Sequence, residues 1–264
     1  MSELAHERRG SGEPLVLIHG LGSRWQVWQP VLDELAEHRE VIALDLPGFG
    51  ASAPGDTTPS LDGLAGAVEK FLARQGIQRP HVAGNSLGGG VALELGRRGA
   101  VRSVTAFSPI GFWGAPGRVV SRRVLTASRA LGRRLPQPVA RRLAASAAGR
   151  TALLSLYYGR PWLLDAQTVL DDVAGLVGAP FFDPVRDSLA DHTFVCNGAL
   201  EAIPVTIAWG TRDRLLTYRT QSRRARALLP TATHVTLPGC GHLPFADDPR
   251  LCARVLLAAI EGEA

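Results

Sequence analysis

Residues 80–90 read Pro80-His81-Val82-Ala83-Gly84-Asn85-Ser86-Leu87-Gly88-Gly89-Gly90, and the fold is decided here. The first part, Pro80–Asn85, is a short apolar run with the character of a buried strand, and the pattern from Leu87 to Arg98 is helical. A strand that passes straight into a helix must turn sharply at Ser86 while holding the serine hydroxyl clear of the backbone. Only small residues fit two positions away on either side, and Gly84 and Gly88 meet that demand. Gly89 and Gly90 then let the helix approach the sheet closely. The plainer alternative is a structural serine that caps a helix.

On either side of this turn, short β-branched runs alternate with helical patterns, as in a parallel sheet with crossover helices. Leu15–His19 and Val41–Asp45 read as strands, and Val31–Glu37 as part of a helix. In Leu61–Gln75 the apolar residues Leu61, Leu64, Val68 and Leu72 recur at helical spacing, and Val101–Phe107 is a further strand. From about 111 to 202, helical periods and prolines replace the strand signal. Strands resume at Val205–Trp209 and His234–Leu237, and Leu251–Ile260 is a closing helix. The expected architecture is an α/β core of residues 1–110 and 203–264, with a mostly parallel central sheet flanked by helices. A helical cap, 111–202, interrupts it.

Composition bounds the function. With 264 residues, 45% hydrophobic and 20% charged, the chain can bury a full core and is not disordered. The polar start Met1–Arg9 and apolar runs no longer than Val255–Ile260 lead to the expectation of a cytoplasmic protein with no leader and no membrane partner. Cys196, Cys240 and Cys252 are an odd number without metal-ligand spacing and read as reduced thiols. Cys240, close to a candidate base, reads as a small residue in a tight loop. The net charge of +5 is local: residues 112–164 hold ten Arg and no acid, while the remainder holds 19 basic and 24 acidic residues. No nucleic-acid motif accompanies that segment, so no nucleic-acid partner is expected. Neither a metal motif nor a phosphate-binding glycine loop appears, so no cofactor is expected.

A serine hydroxyl needs a base to become a nucleophile. His242 stands in Gly239-Cys240-Gly241-His242-Leu243-Pro244, just after the last strand, where flanking glycines allow a loop to return over the strand ends. The base needs a carboxylate to fix its tautomer, and Asp213 follows the Val205–Trp209 strand in Trp209-Gly210-Thr211-Arg212-Asp213. The plain alternatives are a surface ion pair for Asp213 and a packed loop residue for His242. A tetrahedral intermediate needs two backbone N–H donors, and the candidates for this oxyanion hole are Leu87, at the helix start, and Leu21, in His19-Gly20-Leu21-Gly22. His19 itself is expected to order that loop.

In the cap, Val120, Val124, Ala127, Leu131 and Leu135 share one helix face, opposite Arg118, Arg122, Arg129 and Arg133. The apolar face is expected to wall the mouth of the site and the arginines to be solvated outside. Arg123 and Arg134, at the flanks, are the candidates for meeting an anionic substrate group.

Together these segments resemble the α/β-hydrolase superfamily, and within it the bacterial serine hydrolases with a helical cap (esterases, C–C hydrolases and perhydrolase-like enzymes). The resemblance is carried by Leu17-Ile18-His19-Gly20-Leu21-Gly22, Asp45-Leu46-Pro47-Gly48-Phe49-Gly50-Ala51-Ser52, Gly84-Asn85-Ser86-Leu87-Gly88-Gly89, Trp209-Gly210-Thr211-Arg212-Asp213 and Gly241-His242. Asp45 belongs to a structural turn of that pattern. Haloalkane dehalogenases and epoxide hydrolases carry Asp where this chain has Ser86, so Tyr157 and Tyr158 read as pocket or core aromatics. C–C hydrolases often carry Trp where Leu243 stands. The resemblance implies a serine-dependent hydrolase of ester, lactone or thioester substrates acting through an acyl-enzyme. The alternatives are C–C hydrolysis or acyl transfer on the same triad, or a ligand receptor with little turnover. The expected partner is a small acyl substrate, with an acidic substrate or acyl carrier as candidate at the Arg-rich cap.

Overall fold

Seven strands make the sheet: β1 (His6–Arg9), β2 (Pro14–Ile18), β3 (Glu40–Leu44), β4 (His81–Asn85), β5 (Ser103–Phe107), β6 (Val205–Gly210) and β7 (Thr233–Leu237). They lie in the order β1-β3-β2-β4-β5-β6-β7, and every pair is parallel except β1 against β3. The computed structural model describes residues 3–196 and 198–262; residues 1, 2, 197, 263 and 264, which the expected domain ranges include, lie outside the described residues.

The period-two pattern sorts side chains between two cores. Val16, Ile18, Ile42, Leu44 and Val82 face one layer, and Leu15, Leu17, Val41, Ala43 and Ala83 the other. Against the first layer pack α2 (Leu61–Arg74) and α3 (Leu87–Arg97); α1 (Gln29–Ala36) covers the second. Each fully buried Leu or Ile contributes on the order of 1.5–3 kcal/mol, so this alternation fixes the strand register. The edge strand β1 has no apolar alternation and lies outside the sequence expectation. It pairs with β3, and Arg8 donates to Glu40 at 2.8 Å, so charge guards this end of the sheet.

Between β5 and β6 stand α4 (Ala115–Arg134), α5 (Gln137–Ala144), α6 (Ala147–Leu154), α7 (Ala166–Gly178), α8 (Phe182–Ser188) and the single turn α9 (Gly198–Glu201). This is the stretch read as an insertion, and α9 packs back against α3. After β6, α10 (Tyr218–Leu228) leads to β7, and α11 (Pro249–Glu261) closes beside α1 on the second core. Among the described residues, no helix is long and apolar enough to cross a membrane.

One expectation is overturned in part: α4 is rotated so that Ser121 and Arg129 are buried, while Val124 of the expected inner face still packs against the core and Arg122 and Arg133 stay exposed as expected. Val120 and Leu131, on the face expected to point inward, are 55% and 60% exposed, whereas Arg129 is only 5% exposed. Arg129 Nη1 donates to Asp183 at 2.7 Å, and its Nη2 donates to the carbonyls of Ala179 and Val177 at 2.7 and 3.2 Å. Those carbonyls belong to the last turn and cap of α7, where helical acceptors lack intrahelical donors and the dipole favours a cation. The guanidinium also lies 4.6 Å from the centre of the Phe182 ring. Ion pairing and capping therefore orient α4 against its apolar stripe.

Candidate active site

Parallel strands bring the ends of β4, β5 and β6 to one edge of the sheet, and the candidate residues gather there. Ser86 links β4 to α3 with φ 56° and ψ −114°, a conformation rare for a residue with a side chain. Neighbouring backbone holds it: Ser86 N–H donates to Phe107 O at 2.9 Å, and Ile110 N–H donates to Ser86 O at 3.1 Å. A Cβ on Gly84 would collide with the Gly88 carbonyl, and one on Gly88 with the Ile18 carbonyl. The small residues on both sides of Ser86 are thus a packing requirement of the turn.

His242 and Asp213 stand side by side. His242 Nδ1 and Asp213 Oδ2 are 2.9 Å apart, with both residues buried. The other Asp213 oxygen accepts the N–H groups of Leu215 and Leu216 at 3.0 and 2.8 Å, so the carboxylate cannot swing. Ser86 and His242 line one cleft with Leu21 and Leu87. Leu87 is the first residue of α3, where backbone N–H groups have no intrahelical acceptor. The Gly20–Gly22 loop abuts Ser86, since a Cβ on Gly20 would sit 3.2 Å from the Ser86 Cβ.

Beneath that loop His19 is a bridge. Leu46 N–H donates to its Nε2 at 3.0 Å, which leaves Nδ1–H to donate to Gly20 O at 2.7 Å. Burial pushes the His19 pKa down, in keeping with a neutral ring. Asp45 accepts from Trp25 N–H at 2.7 Å and Ala51 N–H at 2.8 Å and so fixes the adjoining turns. Cys240 is fully buried, and burial pushes its thiol up to about 12, leaving no thiolate to compete as nucleophile.

Two buried residues of this region escape the sequence reading. Asn85 Nδ2 donates to the His242 carbonyl at 2.9 Å and to Phe107 O at 3.2 Å, tying the His242 loop to the end of β4. Asp247 accepts from Gly241 N–H at 2.7 Å, Gly159 N–H at 2.8 Å and Arg160 N–H at 2.7 Å. It joins the His242 loop to the segment that follows α6. No local signal marks this role, and the neighbouring Asp248, which caps α11 by accepting from Leu251 N–H at 3.1 Å, looks the same in sequence.

Tyr157 and Tyr158 both line the cleft, as does Asp172. Tyr158 donates its hydroxyl to Asp172 at 2.6 Å, and burial lifts the Asp172 carboxyl to about 6. Arg118, Arg122 and Arg186 bring positive charge to the same cleft. Arg123 and Arg134, the flanking arginines expected to reach a substrate anion, are exposed and do not line the cleft.

A family model described as the alpha/beta hydrolase family matches residues 15–255. A dihydrolipoyllysine-residue acetyltransferase component of an acetoin cleaving system, from Cupriavidus necator, is 33% identical over 90% of this chain. The chain spans only 61% of that relative's length. The crystal structure of a membrane phospholipase A is 26% identical with a TM-score of 0.74, covering 98% of this chain and 83% of that one. An esterase from Rhodococcus sp. is 25% identical, also with a TM-score of 0.74, over 99% of this chain and 95% of that one. With the mostly parallel sheet, the turn at Ser86 and a match over nearly the whole length, this chain belongs to the alpha/beta hydrolase family.

Proposed function

We infer that the protein is a serine hydrolase of carboxylic ester-type substrates, with Ser86 as nucleophile, His242 as base and Asp213 as the acid that orients it. The carrying observation is the Asp213–His242 hydrogen bond of 2.9 Å, which orients a histidine that lines the same cleft as Ser86. An ionised Asp213 accepts from Nδ1–H, so Nε2 of the neutral ring is left to take the Ser86 proton. The alkoxide attacks the substrate carbonyl, and the N–H groups of Leu87 and Leu21 hold the resulting oxyanion. Protonated His242 returns its proton to the leaving group as the acyl-enzyme forms. Water, deprotonated by His242, then attacks the ester carbonyl, and the acid departs as Ser86 recovers its proton.

The test is hydrolysis of p-nitrophenyl butyrate by wild type and Ser86→Ala. The variant should lose about 10⁴–10⁶ in kcat with its fold unchanged, and a fluorophosphonate should label Ser86 alone. Retained turnover in Ser86→Ala, or labelling at another residue, overturns the reading. A second reading, acyl transfer, draws on the name of the 33%-identical relative, an acetyltransferase component. It shares every step up to the acyl-enzyme and differs in the acceptor. Partitioning of the acyl group between water and an added thiol separates the two.

A further inference from the structure

Resting on that reading, we propose that Arg118 forms an anion subsite in the cleft, so that the preferred substrate carries a carboxylate or phosphate at a distance from the scissile ester. Arg118, Ser121, Arg122 and Leu125 of α4 all line the cleft, at the spacing of one helix face. Of the three guanidiniums there, two are engaged. Arg186 donates to Asp183 at 2.7 Å and to Thr126 at 3.1 Å, and it lies 2.9 Å from Asp187. Arg122 donates to the same Asp187 at 2.9 Å. Arg118 differs. Its one ion-pair partner among the described residues is Asp191, at 3.7 Å, beyond hydrogen-bond distance, and that side chain is 98% exposed. A guanidinium offers five donors in a planar fork that matches a carboxylate or phosphate, and the Arg118 fork is uncommitted.

Its position is tied to the reacting groups. Ser121 Oγ donates to Leu215 O at 2.9 Å, and the N–H of Leu215 donates to Asp213 at 3.0 Å. The helix turn that carries Arg118 is thereby fixed to the loop that fixes the acid. Apolar side chains, among them Ile110, Trp113 and Leu215, complete this part of the wall. A chain of methylenes against that wall with an anion at Arg118 satisfies both surfaces. A neutral chain satisfies only the first.

The experiment compares matched pairs. Mono-p-nitrophenyl adipate against p-nitrophenyl hexanoate places the anion on the acyl chain. S-hexanoyl phosphopantetheine against S-hexanoyl pantetheine places it on the leaving group. Wild type should favour the anionic member of one pair by about tenfold or more in kcat/KM, and the pair that responds identifies the source of the anion. Arg118→Gln should erase that preference through KM, leaving kcat and the neutral substrate within about twofold. Arg118→Lys should recover only part of it, because a point charge lacks the fork. The exposed variant Arg123→Gln should change neither pair. Equal treatment of both members in both pairs, or an Arg118→Gln effect shared by neutral and anionic substrates, overturns the subsite. The serine mechanism stands apart: it fails if hydrolysis of the neutral hexanoate survives Ser86→Ala, whatever the two pairs show. Should no ester turn over, calorimetric titration of wild type and Arg118→Gln with adipate and with adipamide decides the matter. Binding of adipate alone, lost in the variant, supports the subsite, and absence of such binding overturns it.

Discussion

The sheet and the inserted helices solve the same packing problem by different means. In the sheet, strands bury both faces, and apolar side chains alternate between two layers without a buried charge being needed to set their direction. In the insertion, α4 turns Val120 and Leu131 outward and buries Arg129, because Asp183 of α8 and the open carbonyls at the end of α7 are its partners. The ten arginines of 112–164 look unbalanced in sequence, yet Asp187 and Asp183 come from further along the chain to pair with Arg122 and Arg129. Apolar periodicity therefore orients an element where the alternative is water. It yields where a buried charge has a carboxylate and two carbonyls waiting.

The contrast can be broken or sharpened by substitution. The largest effect is expected at the sheet edge. Asp213→Asn keeps the size of the side chain but favours the wrong imidazole tautomer, and should lower kcat by about 10⁴ with little change in Tm. Near-normal turnover would show that another group orients His242. Next comes Arg129→Leu, which strips the donors from Asp183, Val177 O and Ala179 O and should destabilise the insertion by about 3 kcal/mol. Urea unfolding together with limited proteolysis within 112–194 measures it. A loss below about 1 kcal/mol would mean that apolar contacts, not ionic ones, hold α4.

Asp172→Asn should have a smaller, pH-dependent effect. The folded carboxyl titrates near 6, above the unfolded value of about 3.9, so its stabilising contribution is complete below pH ~4 and is lost as pH rises through 6. The variant should accordingly gain up to about 3 kcal/mol over wild type at pH 8, shrinking towards zero near pH 4. A difference in Tm that stays flat across that range contradicts the assignment. The least effect is expected from Leu131→Gln on the exposed stripe, within about 0.5 kcal/mol of wild type. A loss of several kcal/mol there would mean that the stripe is buried in solution.

What could be read from the chain follows the same division. Strands β2 to β7, the turn at Ser86 and the Asp213–His242 pair announce themselves through runs, glycines and loop position, all of them local signals. Strand β1 does not, because His6-Glu7-Arg8-Arg9 pairs through its backbone at an edge and needs no apolar pattern. The buried face of α4 is not the apolar stripe, since helical periodicity registers the stripe but not Asp183, 54 residues from Arg129. Asn85 and Asp247 were missed for a related reason. Their partners are main-chain groups, most of them far along the chain, and such groups leave no trace in composition.

The Asp247 carboxylate has a mechanical consequence. By accepting from Gly241, Gly159 and Arg160 at once, it welds the loop bearing His242 to the segment after α6, and Leu243 N–H adds a bond to Tyr157 O at 2.8 Å. That seam behaves as a fixed post, not as a hinge. Any widening of the cleft that pulled residues 157–160 away would drag the histidine out of register.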